Sequence, residues 1–260
     1  MKKTSKWVLI LGGSSGLGLA TARKLSKHGF NILIVHRDRR SELDAITGNF
    51  QEIISSGAML HNFNIDATNP IKRDEAIKKI KKLLGPEKIN VFVHSIAKGN
   101  LKPMVDENEK VLVNQDFHLT IDAMAVSLYD WVKSLIDESL FAKDSRIIAF
   151  TSEGNTKAWK NYGAVSAAKA ALEAIMRNIA LEFAYKGVKA NCIQAGVTDT
   201  KSLNMIPNSD NLKSESLKRN PNKRLTKPED IANATYLLTM DEAKWITGTI
   251  IKVDGGESLQ

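Results

Sequence analysis

Short runs of β-branched or otherwise apolar residues recur along the chain with longer amphipathic segments between them, and this alternation is the strongest constraint on its fold. The runs are Trp7 to Leu11, Asn31 to Val35, Met59 to Asn62, Ile89 to His94, Arg146 to Phe150, Val188 to Ile193 and Thr249 to Val253. Strands separated by helices of this length pair in parallel through right-handed crossovers, so the expected architecture is an α/β doubly wound parallel sheet of about seven strands with helices on both faces. A length of 260 residues suits one such domain, and no linker or internal repeat divides residues 1–260. One stretch differs in texture. Thr198 to Lys227 is rich in Asn, Ser, Lys and Pro and lies between the sixth strand and a helix that Pro228-Glu229-Asp230 starts, which predicts a substrate lid over about 198–227.

Several function classes are excluded by composition. The apolar runs fall far short of the roughly 20 residues of a membrane helix. Met1-Lys2-Lys3 leads into a short apolar run and a Gly-rich turn with no small-residue cleavage site, so the chain is read as cytoplasmic, with no membrane partner. A single cysteine, Cys192, excludes an internal disulfide, and the five histidines show no paired helical spacing for a metal, so no metal site is expected. The formal net charge of +8 is concentrated: Lys72 to Lys88 carries seven basic and three acidic residues, and Thr200 to Lys227 seven basic and two acidic. Neither block interleaves aromatics with Arg, and no nucleic-acid-binding motif accompanies them, so no nucleic-acid partner is expected.

Gly12-Gly13-Ser14-Ser15-Gly16-Leu17-Gly18 follows the first strand and opens the first helix. In that position Gly12, Gly16 and Gly18 allow a tight turn and close packing, while Ser14, Ser15 and Leu17 carry backbone N–H groups toward a pyrophosphate. This is a Rossmann-type dinucleotide site. Where an NAD site usually has an acidic residue after the second strand, this chain has His36 and Arg37, then Asp38, Arg39 and Arg40. Cations fit a 2′-phosphate, so NADPH is the expected cofactor, with Asp38 pulling the other way. Asp66, with Ala67 after the third strand, either accepts from the adenine amine or caps the helix that starts near Pro70.

These residues, with Val93-His94-Ser95-Ile96-Ala97, the Ser152 and Tyr162/Lys169 region, Asn191-Cys192-Ile193-Gln194-Ala195-Gly196 and Val253-Asp254-Gly255-Gly256, resemble the short-chain dehydrogenase/reductase family over essentially the whole chain. Most members place Tyr four residues before Lys; here that position is Val165, and Tyr162 gives Tyr-x6-Lys. The spacing is similar to that of the enoyl-[acyl-carrier-protein] reductases. Tyr162 to Ala174, Thr198-Asp199-Thr200, Ile206-Pro207-Asn208 and Asp254 to Leu259 look most like the NADPH-dependent enoyl reductase III branch, whereas His94-Ser95-Ile96-Ala97 looks like enoyl reductase I. The resemblance implies cofactor contacts from Ser95, Ile96, Ala97, Lys169, Gly196, Val197 and Thr200. It gives Gly196 a close approach to the cofactor, Val197 a backbone contact to the carboxamide and Thr200 the phosphates. It also implies a homotetramer paired through helices over about Phe117 to Ser139 and Tyr162 to Lys186, the second with Ala170, Ala171, Ala174, Ile175 and Ile179 as an apolar run.

Seven helical residues rotate about 700° and rise about 10 Å, so Tyr162 and Lys169 share a face. If Lys169 holds the nicotinamide ribose, as the resemblance implies, Tyr162 acts farther along the substrate than a Tyr four residues away. That suits conjugate reduction, in which hydride reaches C3 while charge develops on the thioester oxygen. Tyr162 would stabilise that oxygen, and Lys169 would lower the tyrosine pKa. Ser152 either orients the carbonyl or caps a loop. Asp122 falls where many members carry a proton-relaying Asn. Leu203, Met205 and Ile206 either line an acyl tunnel or pack the lid down. The expected activity is therefore NADPH-dependent enoyl-[acyl-carrier-protein] reduction in fatty acid biosynthesis, on substrate carried by acyl carrier protein docked at the basic lid. The rivals are a 3-oxoacyl or other carbonyl reductase, and a catalytically silent NADP-binding sensor.

Overall fold

The computed structural model describes residues 6–206 and 209–260. Met1-Lys2-Lys3 and the Pro207-Asn208 pair lie outside the described residues. In chain order the first half comprises β1 (Lys6–Leu11), α1 (Gly16–Lys27), β2 (Phe30–His36), α2 (Leu43–Ser55), β3 (Leu60–Asn64), α3 (Pro70–Leu84) and β4 (Ile89–His94). There follow α4 (Asn114–Ile121), α5 (Ser127–Asp137), β5 (Phe141–Ser152), α6 (Gly163–Glu182) and β6 (Val188–Ala195). The last part holds α7 (Lys201–Asn204), α8 (Ser209–Arg219), α9 (Pro228–Leu238) and β7 (Ile250–Val253).

All seven strands join one parallel sheet in the order β3-β2-β1-β4-β5-β6-β7. Its central strands read as near-continuous apolar runs because both faces are covered. Leu9, Leu11, Leu33 and Phe92 point to one face, where they pack with Ile77 and Ile80 of α3, Trp131 and Leu135 of α5 and Leu172 and Met176 of α6. Val8, Ile10, Ile32 and Ile34 point to the other, against Leu19 and Leu25 of α1, Phe50 of α2 and Ile231 and Leu238 of α9. Among the described residues no helix is long and apolar enough to cross a membrane.

Two elements differ from the sequence expectation. β5 begins at Phe141 rather than near Arg146, because Phe141 pairs with Ile89 before an irregularity in the register, although Lys143 and Asp144 are exposed. The helix expected from about Phe117 to Ser139 is α4 and α5 joined by a π-helical turn over Asp122–Val126. Such turns widen the helix by one residue and often lie at functional sites.

Candidate active site

The strand order reverses between β1 and β4, and a doubly wound sheet offers a ligand crevice at the carboxyl ends of the strands there. Gly12 has φ +79, and a Cβ on it would stand 2.4 Å from the Ser95 carbonyl oxygen; one on Gly18 would stand 2.2 Å from the Gly12 carbonyl oxygen. The turn therefore lies directly on the end of β4, and α1 lies directly on the turn. Ser15 precedes α1 in extended conformation without a side-chain cap, so the first N–H groups of the helix have no capping side chain. Ser14 is buried, Leu17 packs against the second core face, and a Cβ on Gly16 would come 3.7 Å from Thr200 Cγ2. Thr200, whose hydroxyl caps α7 by accepting from Leu203 N–H at 3.2 Å, thus stands over the start of α1. These groups fit a dinucleotide pyrophosphate.

At the end of β2 the geometry redistributes the expected roles. His36 is buried, with Nδ1 2.8 Å from Asp38 Oδ2 and Nε2 3.2 Å from Asn62 Oδ1, so the protein already occupies both ring nitrogens. This removes His36 from the cofactor contacts expected of it, and it also engages the Asp38 carboxylate. Arg37 is 61% exposed and pairs with Asp66 at 2.7 Å, and Lys98 approaches the same carboxylate at 3.6 Å. Asp66 accepts from the backbone and hydroxyl of Thr68, whereas α3 is capped by Asn69, so the helix-cap alternative for Asp66 is wrong. Burial raises the Asp66 pKa, but the Thr68 bonds and the two cations outweigh it and hold the carboxyl below its usual range. Neighbouring Ala67 is buried and its carbonyl accepts from Trp131 Nε1 at 2.9 Å. Ser95, Ile96 and Ala97 continue from β4 along the crevice, with Ser95 N–H donating to Leu11 O at 2.9 Å.

Tyr162 and Ser152 come together where β5 ends and α6 begins, and Lys169, farther along α6, reaches the same strand at Phe150. Tyr162 is the residue preceding α6 rather than a member of it, and its carbonyl accepts from Ser166 N–H, so the helical register nevertheless runs from it. Its hydroxyl is 3.3 Å from Ser152 Oγ. Val165, in the register of the family's usual Tyr, is buried with Met124, Tyr162 and Ala168, and Leu101, Trp159 and Ile206 pack on that cluster. Of the lid residues singled out, Ile206 therefore packs on the cluster that holds the tyrosine, Leu203 is buried, and Met205 is exposed.

The electrostatics correct one expectation. Lys169 Nζ donates to the Phe150 carbonyl at 2.6 Å, which leaves two of its three donors for a ligand. Burial lowers its pKa to about 8, against the Cys192 and Glu173 charges that raise it. Burial also raises the Tyr162 pKa, opposed by the Ser152 bond, and Lys169 contributes no lowering. Tyr162 is thus a protonated hydrogen-bond donor at neutral pH. At the end of β4, burial and the Lys169 charge push His94 down to about 3. The neutral ring meets Ser127 Oγ at 2.8 Å, and since that hydroxyl donates to Ala123 O, Nε2 carries the proton.

Behind the tyrosine, β6 leads into the Gly196 turn. A Cβ on Gly196 would meet Thr226 Oγ1 at 2.4 Å and Glu257 Oε2 at 2.9 Å, so on that side the glycine packs directly against the protein. Val197 donates its N–H to Glu257 Oε2 at 3.1 Å and its carbonyl accepts from Thr226 N–H at 3.1 Å. The N–H is thus committed to the protein, whereas the carbonyl keeps a second lone pair for the carboxamide contact expected of Val197.

Four residues with evident roles, Gly154, Ser166, Glu173 and Arg219, escaped the sequence reading. A Cβ on Gly154 would stand 2.5 Å from Tyr162 Cε1, so this glycine seats the ring. Its carbonyl also accepts from Ser166 Oγ, which fixes the start of α6. Buried Glu173 accepts from Thr151 Oγ1 at 2.5 Å and Asn155 Nδ2 at 2.6 Å, bracing the strand end that carries Ser152. Arg219, read as surface charge, turns inward to Glu153 and Glu257. The glycine two places after Ser152 was the available signal; the other three depend on contacts distant in sequence. Asp122 is exposed and lines a surface groove with His118, Leu119 and Val126.

Comparison with known proteins places this geometry. A family model described as Enoyl-(Acyl carrier protein) reductase matches residues 12–258. Oxidoreductase UcpA of Escherichia coli (strain K12) is 27% identical over 265 residues, covering 99% of this chain and 96% of that protein. The 3-oxoacyl-[acyl-carrier-protein] reductase FabG of Staphylococcus epidermidis is 28% identical over 255 residues, covering 97% and 98%. Among solved structures, the enoyl-[acyl-carrier-protein] reductase (NADH) of Aquifex aeolicus VF5 superposes with a TM-score of 0.85 at 22% identity, covering 99% of this chain and 98% of that one. A short-chain type dehydrogenase/reductase from Mycobacterium ulcerans also gives 0.85, at 24% identity, covering 100% and 92%. Members of this family use nicotinamide cofactors. With its parallel sheet, glycine turn and Ser152–Tyr162–Lys169 group, the chain belongs to the short-chain dehydrogenase/reductase family of oxidoreductases, matching the model described as Enoyl-(Acyl carrier protein) reductase.

Proposed function

We propose that the protein is an NADPH-dependent enoyl-[acyl-carrier-protein] reductase, acting on trans-2-enoyl thioesters in cytoplasmic fatty acid biosynthesis as a homotetramer. The observation that carries this reading is the placement of the phenol: Tyr162, seven residues before Lys169, bonds Ser152, while Val165 fills the nearer register with apolar volume. When bound, the nicotinamide supplies a hydride to C3 of the substrate. Tyr162 donates a hydrogen bond to the thioester oxygen as charge develops there, its raised pKa keeps the proton in place for that purpose, and a proton from solvent at C2 completes the saturated thioester. Ser152 orients the phenol. Lys169 stands two helical turns farther along and, with one donor on the Phe150 carbonyl, keeps two donors and its charge for the ribose. Leu101, Trp159 and Ile206 give the acyl chain an apolar wall and exclude water from the oxygen.

NADPH is favoured by the strand-end charges. Arg37 and Lys98 flank a single carboxylate, and Asp38 is engaged by His36 rather than free to hold a ribose hydroxyl. The homotetramer is supported by apolar residues left on the surface, with Trp245 94% exposed beside Ile246, and Leu181 and Tyr185 at the end of α6. Ala170 is exposed on that helix, whereas Ile179 belongs to the chain's own core and is removed from the interface run expected for it.

A second reading, 3-oxoacyl reduction, is favoured by the name of the Staphylococcus epidermidis relative. Parallel assays of NADPH oxidation with a 2-enoyl and a 3-oxoacyl thioester separate the two, and Tyr162→Phe should lower enoyl turnover by about 10²-fold or more. Turnover of the 3-oxo substrate alone sinks the enoyl reading; cofactor binding with turnover of neither favours a silent NADP sensor. Arg37→Ala should raise KM for NADPH about tenfold and leave NADH unchanged. A KM for NADH below that for NADPH, indifferent to Arg37→Ala, would remove the role given to Arg37.

A further inference from the structure

Arg219, the last residue of α8, joins three parts of the site. Its Nη2 donates to Glu153 Oε1 at 2.6 Å and to Glu257 Oε1 at 2.8 Å. Glu153 directly follows Ser152. Glu257, in the C-terminal segment, uses its other oxygen to accept from Val197 N–H, so the same carboxylate holds the turn after β6. The two carboxylates are 6% and 1% exposed, and Lys157, 3.1 Å from Glu153 Oε2, brings the charges to two of each sign. Side chains just beyond α8 follow the same path: Asn220 Nδ2 donates to Asp254 O and Asn222 Nδ2 to Gly255 O, each at 2.9 Å. At its other end, α8 starts with Ser209 N–H donating to Ile206 O, and Ile206 is the lid residue packed on the Tyr162 cluster.

A buried ion pair adds little net stability over apolar packing of the same volume, but forked, charge-assisted bonds fix direction tightly. Here they fix α8 relative to the strand end bearing Ser152 and to the Val197 turn. We infer that Arg219 is a positioning residue for the substrate lid: by bridging Glu153 and Glu257 it sets α8, and through it Ile206, against the Tyr162 side of the pocket. The inference rests on the site being that of a thioester reductase, and not on the preference for an enoyl substrate.

The test uses the full chain in three forms, Arg219→Met, Arg219→Lys and the double variant Arg219→Met with Glu257→Gln. Each is read by hydrogen exchange of α8 amides without ligand, by melting midpoint, and by KM and kcat with NADPH and the better thioester. Arg219→Met should speed α8 exchange and raise KM for the thioester about tenfold, while KM for NADPH changes less than about twofold. Arg219→Lys should recover part of both effects. In the double variant Glu153 keeps Lys157, and the amide oxygen introduced by Glu257→Gln can still accept from Val197, so no buried charge lacks a partner. It should recover the melting midpoint yet keep the fast exchange and the raised KM. Recovery of KM and protection in the double variant would show that Arg219 only neutralises charge and would overturn the inference, as would unchanged α8 exchange in Arg219→Met. If neither thioester turns over, the reductase reading fails and the exchange data alone decide whether the bridge holds the lid.

Discussion

A fully buried ammonium is costly unless something compensates it, and Lys169 shows the balance: the Phe150 carbonyl accepts one donor, and burial still brings the pKa to about 8. In the unfolded chain the same lysine titrates near its ordinary value, so between about pH 8 and 10.5 the unfolded state holds a proton that the folded state has lost. Stability therefore rises with pH across that window. Relative to Lys169→Met, the cofactor-free wild type should gain about 3 kcal/mol between its ends, measured by denaturant unfolding at several pH values. Activity should move the opposite way. Tyr162 stays protonated well above neutrality, so the loss of the Lys169 charge sets the alkaline limb of kcat/KM, falling about tenfold per pH unit beyond about pH 8. The Tyr-x6-Lys spacing was legible in the sequence because helical geometry fixes it. The direction of electrostatic influence was not, because it depends on burial, and burial put the tyrosine up rather than down.

At the scale of elements, the sequence placed each strand by its apolar run, and most ends agree within two residues because a parallel strand is buried on both faces along its length. The exceptions are informative. The extra residues of β5 are Phe141 to Ser145, a stretch with two exposed charged residues and no apolar pattern to mark it. α8 lies in a segment whose Ser, Asn and Lys content resembles a loop, and it is held by its ends rather than by an apolar face. The glycine turn was readable as a motif, but what each glycine accommodates was not: Gly12 and Gly18 admit backbone, whereas Gly196 admits Glu257 and Thr226. A contrast between two glycines tests this. Gly12→Ala places a methyl group against the Ser95 carbonyl at positive φ, and should cost about 2 kcal/mol or more and raise the cofactor Kd at least tenfold. Gly48→Ala, inside α2 with open space around it, should instead stabilise by about 0.5–1 kcal/mol and leave cofactor binding unchanged. Thermal melting with fluorescence titration of NADPH reads both, and equal behaviour of the two variants would contradict the packing account of the turn.

For the whole molecule, the net charge of +8 and the basic Thr200 to Lys227 block suggested an acidic partner, but the fold spends much of that charge internally. Arg219 faces Glu153 and Glu257, Arg224 pairs with Asp230 at 2.6 Å, Lys213 with Asp199 at 2.9 Å, and Lys201 with Glu42. Sequence arithmetic could not anticipate this, because most of those carboxylates come from outside the block and are brought in by tertiary structure. What remains on the outer surface of the lid is narrower: Lys218, Lys223 and Lys227 are exposed there, and Lys218 shares its charge with Glu215 at 2.7 Å. Docking of an acidic carrier protein, if it occurs at the lid, therefore depends on these lysines and not on the arginines, whose removal would disturb the lid itself. Replacing the three lysines with Gln should raise KM for a carrier-bound enoyl thioester by roughly three- to tenfold, leave KM for the coenzyme A thioester unchanged, and flatten the dependence of the former on ionic strength. Equal effects on the two substrates, or a salt dependence that survives the substitutions, would assign the lysines to solvated surface and move the docking face elsewhere on the molecule.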